Sequence, residues 1–146
     1  MKVNHKQVQK YSKQIARQIK LCWEKFDQIV IITKWWLIPG YYIAKELWIK
    51  KIETINLSSY NWKEQKEIIN DTNMYFKIDN DLRYLIIDDL IDSWNTIRYI
   101  EKNFFKNKVN YEVATLFRKI WSHRQWKYCL KQDVPKDEWI SFEYEE

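Results

Sequence analysis

Glycine is nearly missing from this chain. Average usage near 7% would give roughly ten glycines at this length, and there is one, Gly40. Proline is scarce too, at two, so no Pro/Gly-rich linker divides the 146 residues. That length can bury one sizeable core, and a single domain over 1–146 is expected. Cysteine is limited to Cys22 and Cys129, far apart and without metal-ligand spacing, which excludes a disulfide scaffold and fits two reduced thiols. His5 and His123 are isolated and make no zinc site. No apolar run approaches the roughly 20 residues that cross a bilayer. Met1-Lys2-Val3-Asn4-His5-Lys6 lacks the apolar stretch of a secretory signal. A cytoplasmic protein with no integral membrane contact is expected.

Tryptophan, in contrast, occurs nine times. Hydrophobic residues at 46% and charged residues at 31% describe a globular domain. A net charge of +5 is compatible with nucleic acid or anionic membrane as partner. The lysines are scattered, however, and a basic surface also suits a polyanionic small substrate. No nucleic acid partner is expected.

Apolar periodicity alternates between helix and strand. Residues 8 to about 25 read as a helix, with Val8, Ile15, Ile19 and Leu21-Cys22 on a broad apolar face. Gln28-Ile29-Val30-Ile31-Ile32 reads as a buried strand, residues 39–47 as a helix with Pro39 near its start, and residues 52–57 as a second strand. Residues 61 to about 80 are polar and without a clean period, as in a long mobile segment. A strand ending at Asp88, a helix from about Asn95 into Phe104, and a strand over residues 112–117 follow. This order predicts an α/β fold, a mostly parallel sheet flanked by helices, with ligands at the carboxyl ends of the strands.

The most informative stretch begins at Tyr84-Leu85-Ile86-Ile87, an apolar run suited to a strand buried on both faces. It ends in Asp88-Asp89-Leu90-Ile91-Asp92, and Ser93 reads as the N-cap of the next helix. Acids at a strand end followed by a helix N-terminus suit a phosphate-sugar ligand. The helix offers unpaired amides to phosphate. The carboxylates take ribose hydroxyls or Mg2+.

Residues 86–96, Ile86-Ile87-Asp88-Asp89-Leu90-Ile91-Asp92-Ser93-Trp94-Asn95-Thr96, resemble the phosphoribosyl-pyrophosphate (PRPP) motif of type I phosphoribosyltransferases. Thr33-Lys34-Trp35-Trp36-Leu37-Ile38-Pro39-Gly40 is similar to the pyrophosphate loop of the bacterial xanthine-guanine (hypoxanthine) branch, usually Ser-Arg-Gly-Gly-Leu-Val-Pro-Gly. Ala44-Lys45-Glu46-Leu47-Trp48-Ile49 resembles that branch's Ala-Arg-Glu-Leu-Gly-Ile. Ser58-Ser59-Tyr60 matches the start of its mobile loop, and residues 133–140 its purine-recognition segment. The likeness spans roughly residues 11 to 142. It implies a type I phosphoribosyltransferase fold with a small hood from the termini, a mobile loop at about 60–80 and a purine-recognition segment at about 119–142.

The resemblance also implies a reaction. The phosphoribosyl group of PRPP passes to a 6-oxopurine, giving the nucleoside monophosphate and pyrophosphate in purine salvage. Asp88 and Asp89 would hold the ribose hydroxyls, with Asp89 facing Mg2+. Asp92 would meet purine N7 as general acid/base. Ser93, Trp94, Asn95 and Thr96 would wrap the 5′-phosphate. Lys34 and the amide of Trp35 would hold pyrophosphate, joined by Lys66 when the loop closes. Lys119, in the loop after the fourth strand, would contact the purine 6-oxo group, Trp139 would stack on the ring, and the backbone of Ile140 would read the C2 substituent. A homo-oligomer, dimer or tetramer, is implied. The competing class is a catalytically inactive nucleotide- or RNA-binding regulator of this fold.

Trp35, Trp36, Trp48 and Trp94 each stand where the family has glycine. One explanation is a UGA codon read as glycine in the source organism and rendered here as tryptophan. It predicts UGA at those four positions, with Trp23 and Trp62 as further candidates, and UGG at Trp139. The other is a genuine, degenerate homologue. The pyrophosphate loop and the 5′-phosphate nest bring backbone against an anion, which leaves no room for a Cβ. Real indoles at Trp35 and Trp94 would therefore impair PRPP binding.

Overall fold

The computed structural model describes residues 1–32, 37–55, 58–59, 68–69, 77–91, 95–106, 108–120 and 127–145. In chain order these form β1 (Lys2–Val3), α1 (His5–Leu21), β2 (Gln28–Ile32), α2 (Leu37–Leu47), β3 (Ile52–Ile55), β4 (Ser58–Ser59), β5 (Ile68–Ile69), β6 (Arg83–Ile91), α3 (Asn95–Ile100), β7 (Asn110–Lys119), β8 (Tyr128–Val134) and β9 (Ser141–Phe142). A wider π turn, Glu101–Phe105, continues α3, and a 3-10 turn, Glu143–Glu145, follows β9.

Five strands make the central sheet in the order β3-β2-β6-β7-β8, every pair parallel. The chain starts in β2, moves outward to β3, then returns across β2 to β6. The order therefore reverses between β2 and β6, which makes that boundary the topological switch point where open α/β sheets take ligands. The two apolar runs occupy it. Ile29 and Ile31 of β2, with Leu85 and Ile87 of β6, face the layer of α1 and α2. Val30 and Ile32, with Tyr84 and Ile86, face the layer of Ile97, Ile100 and Phe105. Helices on both faces explain why these strands read as continuous rather than alternating apolar sequence.

Helix α1 starts in a capping box. Asn4 Oδ1 accepts from Gln7 N, and Gln7 Oε1 accepts from Asn4 N, each at 2.9 Å. Val8, Ser12, Ile15, Ala16 and Ile19 form its buried stripe. Gly40 lies where α2 crosses β2, and a Cβ there would sit 2.2 Å from Ile31 Cδ1. The one glycine in the sequence thus permits that contact. At the other edge, Asp27 N and Oδ2 exchange 2.8 Å bonds with Arg83 O and N, joining the amino ends of β2 and β6. Arg83 Nη2 also bonds Glu24 Oε1 at 2.7 Å and stacks over Phe26 at 4.6 Å. Burial would raise the Glu24 carboxyl, yet Arg83 and Lys127 hold it below its ordinary value.

The termini form the small hood that was expected: β1 pairs with β9, and Ser141 N donates to Met1 O at 3.0 Å. Cys22 and Cys129 are free thiols. Among the described residues no helix is long and apolar enough to cross a membrane. Most of the segment 60–80 lies outside the described residues.

Trp23 and Trp48 are the two most exposed large hydrophobic residues described, at 92% and 88%. Both have left-handed backbone, with φ of 57° and 58°. Each follows the last turn of a helix. Trp48 N reaches Lys45 O at 3.4 Å and Ile49 N reaches Ala44 O at 3.0 Å, which is a Schellman C-terminus with residue 48 at the left-handed position. Trp23 N makes the equivalent bond to Lys20 O at 3.1 Å. Glycine normally fills such sites, and a bulky residue with positive φ is an outlier. The third left-handed residue, Lys106, closes the π turn.

Candidate active site

The carboxyl ends of β2 and β6 meet at the switch point, and β6 delivers two acids there. Asp88 is pinned by the parallel ladder, opposite Thr115 of β7. Its Oδ1 accepts the amide of Asp89 at 2.9 Å. Asp88 is 9% exposed, and Asp89 is partly buried beside it. Burial pushes the Asp88 carboxyl up from 3.8 to about 6. Burial, and then the charge of Asp88, push Asp89 well above its ordinary value. Two adjacent acids that resist ionising together form a site of high negative potential once they do ionise. Hydroxyl donors or a divalent cation relieve that repulsion.

Thr115 holds this pair from the neighbouring strand. Its hydroxyl lies 2.9 Å from the carbonyl oxygen of Asp89 and 2.8 Å from that of Phe117. The residue is 1% exposed. Sequence reading passes over Thr115, because a threonine inside an apolar strand carries no chemical signature of its own. What singles it out is its register opposite Asp88, which becomes available only with the sheet.

Next in the described chain is α3, whose first residues are Asn95, exposed, and Thr96, partly exposed. Both stand at the carboxyl edge of the sheet, where a helix N-terminus was expected. The helix departs from expectation farther on. It is regular only to Ile100 and widens into the π turn that buries Phe105 against Tyr84 and Tyr111. Lys34, Trp35 and Trp36, the loop lysine Lys66, and Asp92, Ser93 and Trp94 lie outside the described residues.

On the far side of the same edge, Lys119 is the last residue of β7, so it belongs to the strand rather than to the loop after it. It is 5% exposed. Its Nζ donates to the carbonyl oxygens of Pro135 and Lys136, each at 3.0 Å, and to that of Glu138. Lys119 is thereby brought against the segment that ends in Trp139 and Ile140. Trp139 is 66% exposed, while Ile140 is buried at 6%. Asp88, Asp89, Asn95, Thr96, Lys119 and the 135–140 segment thus share the carboxyl side of the sheet. Among the described residues no cluster of His, Cys, Asp or Glu offers a ready-made three-ligand metal site.

No family model matches the chain. In overall fold it resembles the purine phosphoribosyltransferase of Pyrococcus horikoshii, with a TM-score of 0.80 and 23% identity over 99% of this chain and 94% of that one. The xanthine-guanine-hypoxanthine phosphoribosyltransferase of Helicobacter pylori superposes with a TM-score of 0.75 and 20% identity, over 99% and 90% of the two chains. In sequence the chain is 33% identical over 139 residues to the xanthine-guanine phosphoribosyltransferase of Desulfotalea psychrophila, covering 90% of this chain and 82% of the relative. The enzyme of that name from Cereibacter sphaeroides is 30% identical over 119 residues, covering 80% and 68%. By that identity over most of both chains, with the acid pair at the switch point of the expected sheet, the chain belongs to the xanthine-guanine phosphoribosyltransferase family.

Proposed function

We propose that this protein transfers the phosphoribosyl group of PRPP to a 6-oxopurine (xanthine, guanine or hypoxanthine), releasing pyrophosphate. The observation that carries this reading is the Asp88–Asp89 pair at the carboxyl end of β6, beside the switch point and just ahead of α3. The N9–C1′ bond forms as the C1′–oxygen bond to pyrophosphate breaks, and the purine gives up one proton. Positive charge develops on the ribose ring, so catalysis is largely positioning and electrostatics.

Asp88 and Asp89 accept the ribose hydroxyls. The pair also fits Mg2+: the donors are hard carboxylate oxygens, and burial makes their combined charge unfavourable without a cation. Asp89 would hold the ion, directly or through water, and the chemistry it supplies is neutralisation of charge on the pyrophosphate oxygens. Asp92 takes the purine proton at N7. Ser93, Trp94, Asn95 and Thr96 surround the 5′-phosphate with amides and hydroxyls, and Lys34, the Trp35 amide and Lys66 hold pyrophosphate. Trp139 stacks on the base, Lys119 meets its 6-oxo group, and the Ile140 main chain reads C2. A homo-oligomeric, cytoplasmic enzyme is part of the same proposal. The intact Asp88 and Asp89 weigh against a non-catalytic regulator.

The test supplies PRPP and Mg2+ with each base to protein carrying glycine at positions 35, 36, 48 and 94, and follows pyrophosphate release and nucleotide formation. Product from a 6-oxopurine, none from adenine, and loss of both signals in Asp88→Asn/Asp89→Asn support the reading. Equal product from adenine, or an undiminished double variant, overturns it.

A further inference from the structure

Lys119 is buried and cationic, and its hydrogen-bond partners among the described residues are main-chain carbonyls. An ammonium has three N–H donors. Pro135, Lys136 and Glu138 take all three. A buried charge persists only where it is well compensated, so these carbonyls hold the lysine as firmly as it holds them. They come from a single short segment. Behind it, Ile120 N donates to Val134 O at 3.0 Å; within it, Glu138 N turns back to Pro135 O at 3.2 Å; ahead of it, Ser141 N joins the hood through Met1 O. Residues 135–138 thus curl around the Lys119 ammonium before the chain reaches Trp139 and Ile140.

We propose that Lys119 is a positioning residue, the clasp that folds residues 135–138 over the end of β7 and so sets Trp139 and Ile140 for a planar base. The identity of that base rests on the function proposed above; the clasp itself belongs to the ligand-free chain. A bond from Nζ to a base oxygen would require one of the carbonyls to be released. Base binding and the conformation of this segment are therefore coupled through one side chain.

Hydrogen exchange read by mass spectrometry on the whole ligand-free protein tests the clasp. Lys119→Met keeps an unbranched side chain one heavy atom shorter and removes all three donors. Amides of residues 136–141 should exchange about 10-fold faster or more in this variant, while those of β6 and β7 stay protected. Lys119→Gln retains two N–H donors and should fall between, which keeps the test alive if the Met variant does not fold. Unchanged protection of 136–141 in either folded variant overturns the proposal. A second arm uses protein with glycine at positions 35, 36, 48 and 94. There Lys119→Met should raise KM for guanine about 10-fold and leave KM for PRPP within about 2-fold, a split that general loosening of the fold would not give. Equal loss for both substrates overturns the positioning role. Absence of any turnover in that background counts against the proposed function and leaves the exchange result to decide the clasp.

Discussion

Replacing both Trp23 and Trp48 with glycine should stabilise this protein. A large residue in the left-handed region costs roughly 1–2 kcal/mol. Both residues adopt it, at φ of 57° and 58°. Little packing opposes the change, because the residues are 92% and 88% exposed. Even a tenth of a tryptophan's ~250 Å2 is worth only about 0.6 kcal/mol at ~25 cal/mol per Å2. Glycine returns some of the gain through the greater freedom of its unfolded chain, about 0.5–1 kcal/mol. The central values leave a few tenths of a kcal/mol per site and the favourable ends about 1 kcal/mol, so the double variant should melt higher by up to about 6 °C for a domain of this size. Differential scanning calorimetry measures it. Alanine at both sites supplies the control: it removes the indole, keeps the Cβ, and should gain nothing. A glycine double variant less stable than the starting protein would refute the reasoning, for the indoles would then be contributing packing that their exposure denies. The gene tests the same point independently. UGA codons at positions 23, 35, 36, 48 and 94, with UGG at 139, are expected if glycine is the residue the source organism inserts.

Stability should also fall as pH rises through the window set by Asp88. Its carboxyl goes from 3.8 to about 6 on folding, so between those values the folded chain holds more protons than the unfolded one. The loss from Asp88 is on the order of 3 kcal/mol, the raised Asp89 carboxyl extends the fall in the same direction, and Asp88→Asn/Asp89→Asn should flatten the slope. Chemical denaturation of the ligand-free protein from pH 4 to pH 7.5 checks this, and an equal slope in the double variant would contradict it. Gly40→Ala should destabilise by about 1–3 kcal/mol, since its Cβ would press on Ile31 from 2.2 Å away; a neutral effect in urea denaturation would show that α2 slides off β2 without penalty.

The parts of the fold that the sequence reveals are those with strong periodic burial. Val30, Ile31, Ile86 and Ile87 read as two-faced strands because helices cover both sides, and Asp88-Asp89 stand out because charge at the end of such a run has no role in the core. Strand β8 escapes notice. It is an edge strand in which exposed Lys131 and Asp133 interrupt Tyr128, Cys129 and Val134. The hood strands β1 and β9 are two residues each, too short for any period. The clasp at Lys119 is invisible in sequence for a different reason: its acceptors are main-chain oxygens, which every residue carries. Trp23 is the converse case. Its place past the end of α1 is legible only once the helix is seen to stop at Leu21 rather than near Lys25.

Turnover by the glycine form is the decisive measurement. Protein with glycine at 35, 36, 48 and 94, given PRPP, Mg2+ and xanthine, guanine or hypoxanthine, should release pyrophosphate in step with the nucleoside monophosphate. The form with tryptophan at those positions should yield neither measurably. Failure of the glycine form with all three bases, or equal turnover by the tryptophan form, would contradict it.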